Sequence, residues 1–233
     1  SWYEKDMAKA VNMKSLVGEG DKLYPERKIT RQEAFAVICR VLEMSDGNIG
    51  VLKNYADGES VASWAKGSMA AMIEYGFVSG SAEGLRPNAE ISREEFAQFM
   101  NGIADTVLTQ AGEYTQTYAG NVLINQSGIN LKDSVVQGDL ILCDGIGSGD
   151  VQLENVTVEG RLILRGGGKN TVKLISSQIK GNVVINNINY PIRLLTDEKT
   201  VLQEVIVKNQ VALEGNIESL TVAEKAEVIL LAG

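Results

Sequence analysis

A direct repeat in the first half of the chain constrains its fold more than any other feature. Residues 2–33 return as residues 64–95, at a constant offset of 62 residues and without a gap. The positions that are identical in both copies are the pairs Trp2/Trp64, Met7/Met69, Ala8/Ala70, Gly18/Gly80, Leu23/Leu85, Pro25/Pro87, Ile29/Ile91, Arg31/Arg93 and Glu33/Glu95. Self-similarity at a fixed period indicates that one supersecondary unit is used twice.

Each copy begins with a predicted helix and continues into a loop. Apolar residues that follow Trp2 and Trp64 recur at helical spacing. Loops rich in turn-forming residues then start at Gly18 and Gly80. Each repeat is therefore predicted to fold as helix, loop and second helix.

The start of the second helix carries a capping signal in both copies. Thr30 is followed three residues later by Glu33, and Ser92 by Glu95. In such a capping box the hydroxyl accepts a hydrogen bond from the third helical amide, while the glutamate reaches back to the amide of the cap residue. Helices are therefore predicted to begin at these two positions, and no ligand is needed to explain the cap residues.

Capping does not explain the arginine that stands inside each signal. A cation in the first helical turn opposes the helix macrodipole, yet Arg31 and Arg93 both occupy that position. Either each arginine pairs with a carboxylate, such as Glu94 or one in the neighbouring repeat, or it converges with free backbone N–H groups to hold an anion. Trp2 and Trp64 then offer an apolar face to a sugar ring, or they only pack against helices.

Charge and composition limit the functions open to the chain. A formal net charge of −8 argues against nucleic acid or an anionic membrane surface as the main partner. Histidine is absent, which removes the usual general base and metal ligand, and we predict no cofactor. No apolar run has the length needed for membrane insertion. Cys39 and Cys143 stand far apart in apolar contexts, and we predict two buried thiols rather than a disulfide.

A second repeat, of β character, follows the first. Leu140-Ile141-Leu142 returns as Leu162-Ile163-Leu164 and again as Val183-Val184-Ile185, at offsets of 22 and 21 residues and each time after a glycine. A period near 20 residues with glycine corners predicts a parallel β-helix. The outer residues of each triplet are predicted to stack inside. The middle residues are predicted to point outward, where they can pack on another element or on a partner.

The predicted fold class is α+β multidomain, an all-α part followed by an all-β part. Residues 1–110 hold the two helical repeats, at about 1–44 and 55–106, and residues 113–233 form a right-handed parallel β-helix with rungs of 20–22 residues. The segment 55–58 before the second repeat has no counterpart before the first, so we expect the sequence to begin inside a longer protein. Because an open β-helix end exposes unpaired strand edges, we expect another chain or a missing segment to cover the apolar strand around Leu230.

The repeats also resemble a known family. Thr30-Arg31-Gln32-Glu33 and Ser92-Arg93-Glu94-Glu95, with the tryptophan, the glycine loop and the proline in the same order, resemble S-layer homology (SLH) repeats over about residues 2–42 and 55–104. The resemblance implies an extracellular protein of a bacterial cell wall or S-layer. It implies non-covalent anchoring to an anionic secondary cell-wall polysaccharide, which often carries a pyruvyl ketal that the signature arginine contacts. The candidate polysaccharide-binding residues are Arg31, Arg93, Trp2, Trp64, Glu33, Glu95, Gly18 and Gly80.

Two other functions stay open beside this non-enzymatic anchoring function. The β-helix is a candidate for binding or cleaving carbohydrate, with Asp139, Arg161 and Asn182 in one column, although such columns are more often solvated faces. Alternatively, the protein is purely structural, and degenerate helical repeats only cap the β-helix.

Overall fold

The chain folds into two units that differ in secondary structure. A computed structural model describes residues 2–18, 20, 22–168, 172–189 and 191–231. The first unit, Ser1–Ile103, is helical, and the second unit, Ala104–Gly233, is built from parallel β-strands. The predicted fold class, helical repeats followed by a parallel β-helix, is confirmed. The first strand of the second unit begins at Thr106, ahead of residue 113, where the sequence analysis began the β-helix.

The first unit contains four α-helices and three short 3₁₀ helices. The α-helices are α1 Glu4–Asn12, α2 Arg31–Val41, α3 Lys66–Glu74 and α4 Arg93–Ile103, and the 3₁₀ helices are Ile49–Asn54, Gly58–Ser60 and Ser63–Ala65. No helix in the described part of the chain combines the length and the hydrophobicity that crossing a membrane requires.

Both predicted capping boxes are present. The backbone N–H of Thr30 donates to Glu33 Oε2 at 2.8 Å, and the N–H of Ser92 donates to Glu95 Oε2 at 2.9 Å. In return, the hydroxyl of each cap residue accepts the N–H of its glutamate, at 3.4 Å in α2 and 3.1 Å in α4. The caps fix where α2 and α4 begin, and therefore fix where Arg31 and Arg93 lie.

The two repeats are equivalent in sequence but not in packing. In α3, Met69, Ala70 and Met72 are at most 1% exposed, because the helix packs against α2 and against the 3₁₀ helix Ile49–Asn54. None of the residues of α1, the counterpart of α3, is buried. Trp2, which precedes α1, is 90% exposed.

The second unit contains seventeen described strands and one 3₁₀ helix, Asp144–Ile146. The strands are β1 Thr106–Leu108, β2 Gly112–Tyr114, β3 Thr117–Tyr118, β4 Val122–Ile124, β5 Ile129–Val136, β6 Leu140–Leu142, β7 Val151–Val158, β8 Leu162–Leu164, β9 Val172–Ile175, β10 Gln178–Ile179, β11 Val183–Ile185, β12 Ile192–Thr196, β13 Val201–Leu202, β14 Val205–Val207, β15 Gln210–Glu214, β16 Leu220–Val222 and β17 Glu227–Leu231.

The strands stack in parallel on the successive faces of a solenoid. One sheet has the order β1-β4-β6-β8-β11-β14-β16. The long strand β5 pairs with β2 through its first half and with β3 through its second half, and between the halves Asp133 takes a φ of 46°. Asn155 bends β7 in the same way, with a φ of 54°. These left-handed residues turn the chain from one face of the solenoid to the next.

The predicted register of the interior is confirmed. Leu140 lies over Leu162 and Leu162 over Val183, and all three side chains are 0% exposed. The middle column behaves differently from the prediction. Ile141 and Ile163 are also in register, yet they are only 4% and 0% exposed, although they do not belong to the interior core cluster. This column is therefore not an open apolar surface for a partner.

Glycines allow close stacking at one corner of the solenoid. The N–H of Gly160 donates to Gly138 O at 3.1 Å, and the N–H of Gly181 donates to Gly160 O at 2.9 Å. A Cβ on Gly160 would lie 2.7 Å from Gly138 O, closer than side chains approach a carbonyl. The glycine that precedes each triplet in the sequence therefore keeps successive coils at hydrogen-bonding distance.

The polar column that follows these glycines is engaged within the solenoid. Arg161 Nη2 lies 2.6 Å from Asp139 Oδ2, and the Arg161 N–H donates to Asp139 Oδ1 at 2.7 Å. The two side chains are only 15% and 14% exposed, so this pair ties neighbouring coils together and is not a solvated face. Both thiols are free, with Cys39 buried and Cys143 partly buried.

The last coil leaves inward positions uncovered. Leu220 and Val222 continue the interior ladder from Val205 and Val207, but they are 40% and 45% exposed. Leu230 is 75% exposed. That another chain or a missing segment covers this end stays a prediction.

Candidate functional site

The first turn of α2 lies against an extended segment of the second repeat, residues 85–90. The N–H of Arg31 donates to Ala89 O at 2.9 Å, and the N–H of Gln32 donates to Pro87 O at 3.0 Å. The side chain of Gln32 donates to Asn88 Oδ1 at 2.7 Å. The helix N–H groups that could have held an anion at Arg31 are therefore used within the protein.

Arg31 also pairs across the two repeats. Its Nε donates to Leu85 O at 2.9 Å, its Nη1 lies 3.0 Å from Glu95 Oε1, and its guanidinium carbon is 5.2 Å from the centre of the Phe35 ring. Burial lowers the pKa of Arg31, whose side chain is 13% exposed, but a guanidinium still stays charged. Carboxylate pairing thus holds for Arg31. Its Nη2 has no acceptor among the residues the structure describes.

Glu95 joins Arg31 to a second arginine that the sequence analysis did not single out. Arg86 Nη2 lies 2.5 Å from the same Oε1 of Glu95, and Arg86 Nη1 lies 3.2 Å from Glu83. The N–H of Ser92 and the two guanidinium groups hold the pKa of Glu95 below its usual range. One carboxylate therefore positions two arginines, each with donor atoms to spare.

The backbone around Arg86 is fixed from a distance. The carboxylate of Asp57 accepts the N–H of Leu85 at 2.8 Å and the N–H of Arg86 at 2.7 Å. Arg86 has a φ of 52°, and Tyr24, its counterpart in the first repeat, has a φ of 46°. The turn is thus shared by both repeats, whereas the side chain it presents is not. Since the equivalent residue is a tyrosine, the repeat itself gave no signal for Arg86.

These arginines line a cavity of about 700 Å³, named here the Arg86 cavity. Its wall is the loop 76–84, in which Gly80 has a φ of 72°. The other residues that line it are Arg31, Phe35, Arg86, Glu95, Gln98, Phe99 and Gly102. Phe99 packs against Phe35 and Phe77, with ring centres 5.0 and 6.3 Å apart. The cavity combines guanidinium groups with aromatic walls, which is the chemistry that an anionic sugar requires.

The first repeat has its own cavity, of about 870 Å³, named here the Trp64 cavity. Gly18, Glu33 and Trp64 line it, together with Tyr24 and three cations, Arg27, Lys28 and Arg40. Trp64 is 53% exposed. Burial pushes the pKa of Glu33 up, but hydrogen bonds from Thr30 and Arg27 outweigh it and leave the pKa below its usual range.

The predicted residues are thus divided between the two cavities. Arg31, Glu95 and Gly80 line the Arg86 cavity, and Gly18, Glu33 and Trp64 line the Trp64 cavity. Trp2 and Arg93 line neither of them. Arg93 is exposed, and among the described residues nothing pairs with its guanidinium. The two signature arginines are therefore not brought together.

Comparison with known proteins agrees with the helical unit. Residues 1–35 and 54–97 match the S-layer homology domain. The chain is 32% identical over 102 residues, or 42% of its length, to the surface-layer 125 kDa protein of Lysinibacillus sphaericus. It is 27% identical over 109 residues, or 45% of its length, to exoglucanase XynX of Acetivibrio thermocellus. The matches span only 8% and 10% of these two relatives. No solved structure matches the chain.

An S-layer homology domain is a binding and anchoring module, and it indicates association with the cell surface. The match falls on the two helical repeats and leaves the β-strands outside it. The chain therefore carries S-layer homology repeats in its helical unit, followed by a parallel β-solenoid.

Proposed function

We propose that the helical unit binds an anionic secondary cell-wall polysaccharide, such as a pyruvylated one, and so anchors a bacterial surface protein non-covalently to the cell wall. In this proposal the β-helix acts as a spacer or an interaction module. The observation that carries the proposal is the convergence of Arg31 and Arg86, from different repeats, on one cavity of about 700 Å³. A cavity of that size accommodates one or two sugar residues.

The hydrogen-bonding pattern leaves room for a ligand carboxylate. Arg31 uses Nε and Nη1, and Arg86 uses Nη1 and Nη2, so Nη2 of Arg31 and Nε of Arg86 have no acceptor in the described part of the chain. A carboxylate bound there would not need to displace Glu95. Charge-assisted hydrogen bonds of this kind are about twice as strong as neutral ones.

Binding to purified cell walls tests the proposal. The full chain is sedimented with the walls, and Arg86→Gln is compared with Lys53→Gln, which removes one charge from an exposed residue of the same unit. We expect the Arg86 variant to lose about tenfold or more in affinity, the value of a charged hydrogen bond. Equal binding by both variants would remove Arg86 from the site. Loss of binding in Arg93→Gln would instead move the site to the exposed helix start of α4.

A purely structural role is the second candidate, and the internal bonds of Arg31 favour it. The signature arginine makes hydrogen bonds to Leu85 and Glu95, and these alone join the repeats. If the folded parent chain does not sediment with walls that bind a known anchored protein, this second function is supported and the first is wrong.

A further inference from the structure

Arg40 is a cation without a counter-charge in the wall of the Trp64 cavity. It is partly buried, and its one side-chain hydrogen bond is from Nη1 to Ser15 O, at 3.3 Å. Its neighbours in the wall are matched, since Arg27 pairs with Glu33 and Lys28 with Glu90. No carboxylate of the described residues pairs with Arg40. A partly buried guanidinium usually has such a partner, because burial disfavours a lone charge.

The fold itself does not call for an arginine at this position. Residue 40 corresponds to Gly102 in the second repeat, near the end of α4, and that helix ends at Ile103 without a basic residue in its last turn. Position at the end of α2 does favour a cation, through the helix macrodipole. A solvent-facing lysine would provide the same benefit. The macrodipole therefore does not account for a guanidinium that lines a cavity.

The same cavity presents aromatic surface. Trp64, from the second repeat, is 53% exposed, and Tyr24 is 45% exposed. Val37 and Leu23 complete the apolar part of the wall. Indole and phenol rings that stay exposed beside a cation are the combination that recognises a pyranose with one charged substituent, because the ring packs on the C–H face and the guanidinium binds the substituent.

We infer that Arg40 and Trp64 form a second subsite, which binds a pyranose residue bearing a carboxylate. The inference rests on the proposed function only in taking that residue to be part of the same wall polymer. Arg40 binds the carboxylate through its guanidinium, and Trp64 packs on the sugar ring. A uronic acid and a pyruvyl ketal both supply such a carboxylate.

Fluorescence can report on this cavity alone. The chain has two tryptophans, so Trp2→Phe in the full chain leaves Trp64 as the single emitter. This variant is titrated with methyl glucoside, methyl glucuronoside and a methyl glucoside that carries a pyruvate ketal. We expect saturable changes in emission with one or both of the carboxylated probes and none with the neutral probe. The two carboxylated arms decide the source of the carboxylate.

Substitution of Arg40 completes the test. In the Trp2→Phe background, Arg40→Gln is expected to weaken the carboxylated probe by about tenfold or more, and Arg40→Lys by less, because an ammonium keeps the charge but loses the planar fork. Lys53→Gln controls for net charge, and circular dichroism confirms the fold of each variant. An unchanged titration in Arg40→Gln, an equal response to the neutral probe, or no response of Trp64 overturns the inference.

This outcome is separable from failure of the proposed function. If the subsite alone is wrong, the parent chain still sediments with cell walls in an Arg86-dependent manner, while Trp64 emission stays constant. If wall anchoring is wrong, the parent does not sediment with walls, whether or not Trp64 responds to the small probes.

Discussion

Arg31 and Arg93 occupy the same position of the same signature, but the structure predicts that their removal has unequal consequences for stability. Arg31→Ala removes a charge-assisted hydrogen bond to a backbone carbonyl, an ion pair with Glu95 and a ring contact with Phe35, from a side chain that is 13% exposed. Charged hydrogen bonds contribute about 1.5–3 kcal/mol and an arginine–ring contact about 0.5–1 kcal/mol. We therefore expect Arg31→Ala to cost about 2–4 kcal/mol.

Arg93→Ala removes an exposed side chain that has no partner among the described residues. Its cost is expected to stay within about 0.5 kcal/mol of zero. It even relieves an unfavourable interaction with the helix macrodipole. The two substitutions are thus matched in chemistry and in helical position, and differ only in whether another repeat contacts the arginine.

Urea denaturation followed by tryptophan emission measures the difference, because both tryptophans lie in the helical unit. With a slope of about 2 kcal/mol per M, Arg31→Ala should lower the midpoint by roughly 1–2 M and Arg93→Ala should leave it nearly unchanged. Equal midpoints for the two variants, or a larger loss for Arg93→Ala, would refute the cross-repeat role assigned to Arg31. The experiment also shows at which urea-free temperature Arg31→Ala is folded enough for a fair binding assay.

Three further predictions concern acid, coil stacking and thiol reactivity. The depressed pKa of Glu95 means that its stabilising contribution is complete above the unfolded-state pKa of about 4.3 and is lost as the pH falls through the folded-state value. Unfolding free energy should thus fall more steeply below about pH 4 in the parent than in Glu95→Gln, and parallel curves would contradict this. Gly160→Ala places a Cβ 2.7 Å from a carbonyl of the preceding coil and should cost about 1–3 kcal/mol in thermal unfolding, whereas Gly102→Ala, with no atom within 4 Å of the new Cβ, should not destabilise. Burial raises the pKa of Cys143 to about 11, so peptide mass spectrometry should find it alkylated far more slowly in the native protein than in urea.

Features that depend on period and local sequence were predictable. The register of Leu140 on Leu162 follows from the 22-residue offset, since strands of successive coils must align. Both capping boxes follow from residues three positions apart, which interact in any helix that begins there. Neither prediction requires knowledge of what packs against the element.

Features that depend on what lies across from a residue were not predictable. Arg31 and Arg93 have the same local sequence pattern, but only α2 has an extended segment of another repeat against its first turn. Arg86 is positioned by Asp57, 29 residues earlier, and its counterpart is a tyrosine, so the repeat gave no reason to select it. The burial of Ile163 likewise depends on its surroundings, because alternation in a strand says only that it points away from the interior.

The contact between α2 and residues 85–90 bears on how such repeats can be exchanged in evolution. Duplication of a gene segment usually yields copies that recombination can delete or shuffle singly. Here the amides that open the helix of the first repeat are satisfied by carbonyls of the second. Excision of either copy would leave those amides or carbonyls without their partners. The pair, rather than the single repeat, is therefore the smallest unit that can be transferred intact between proteins.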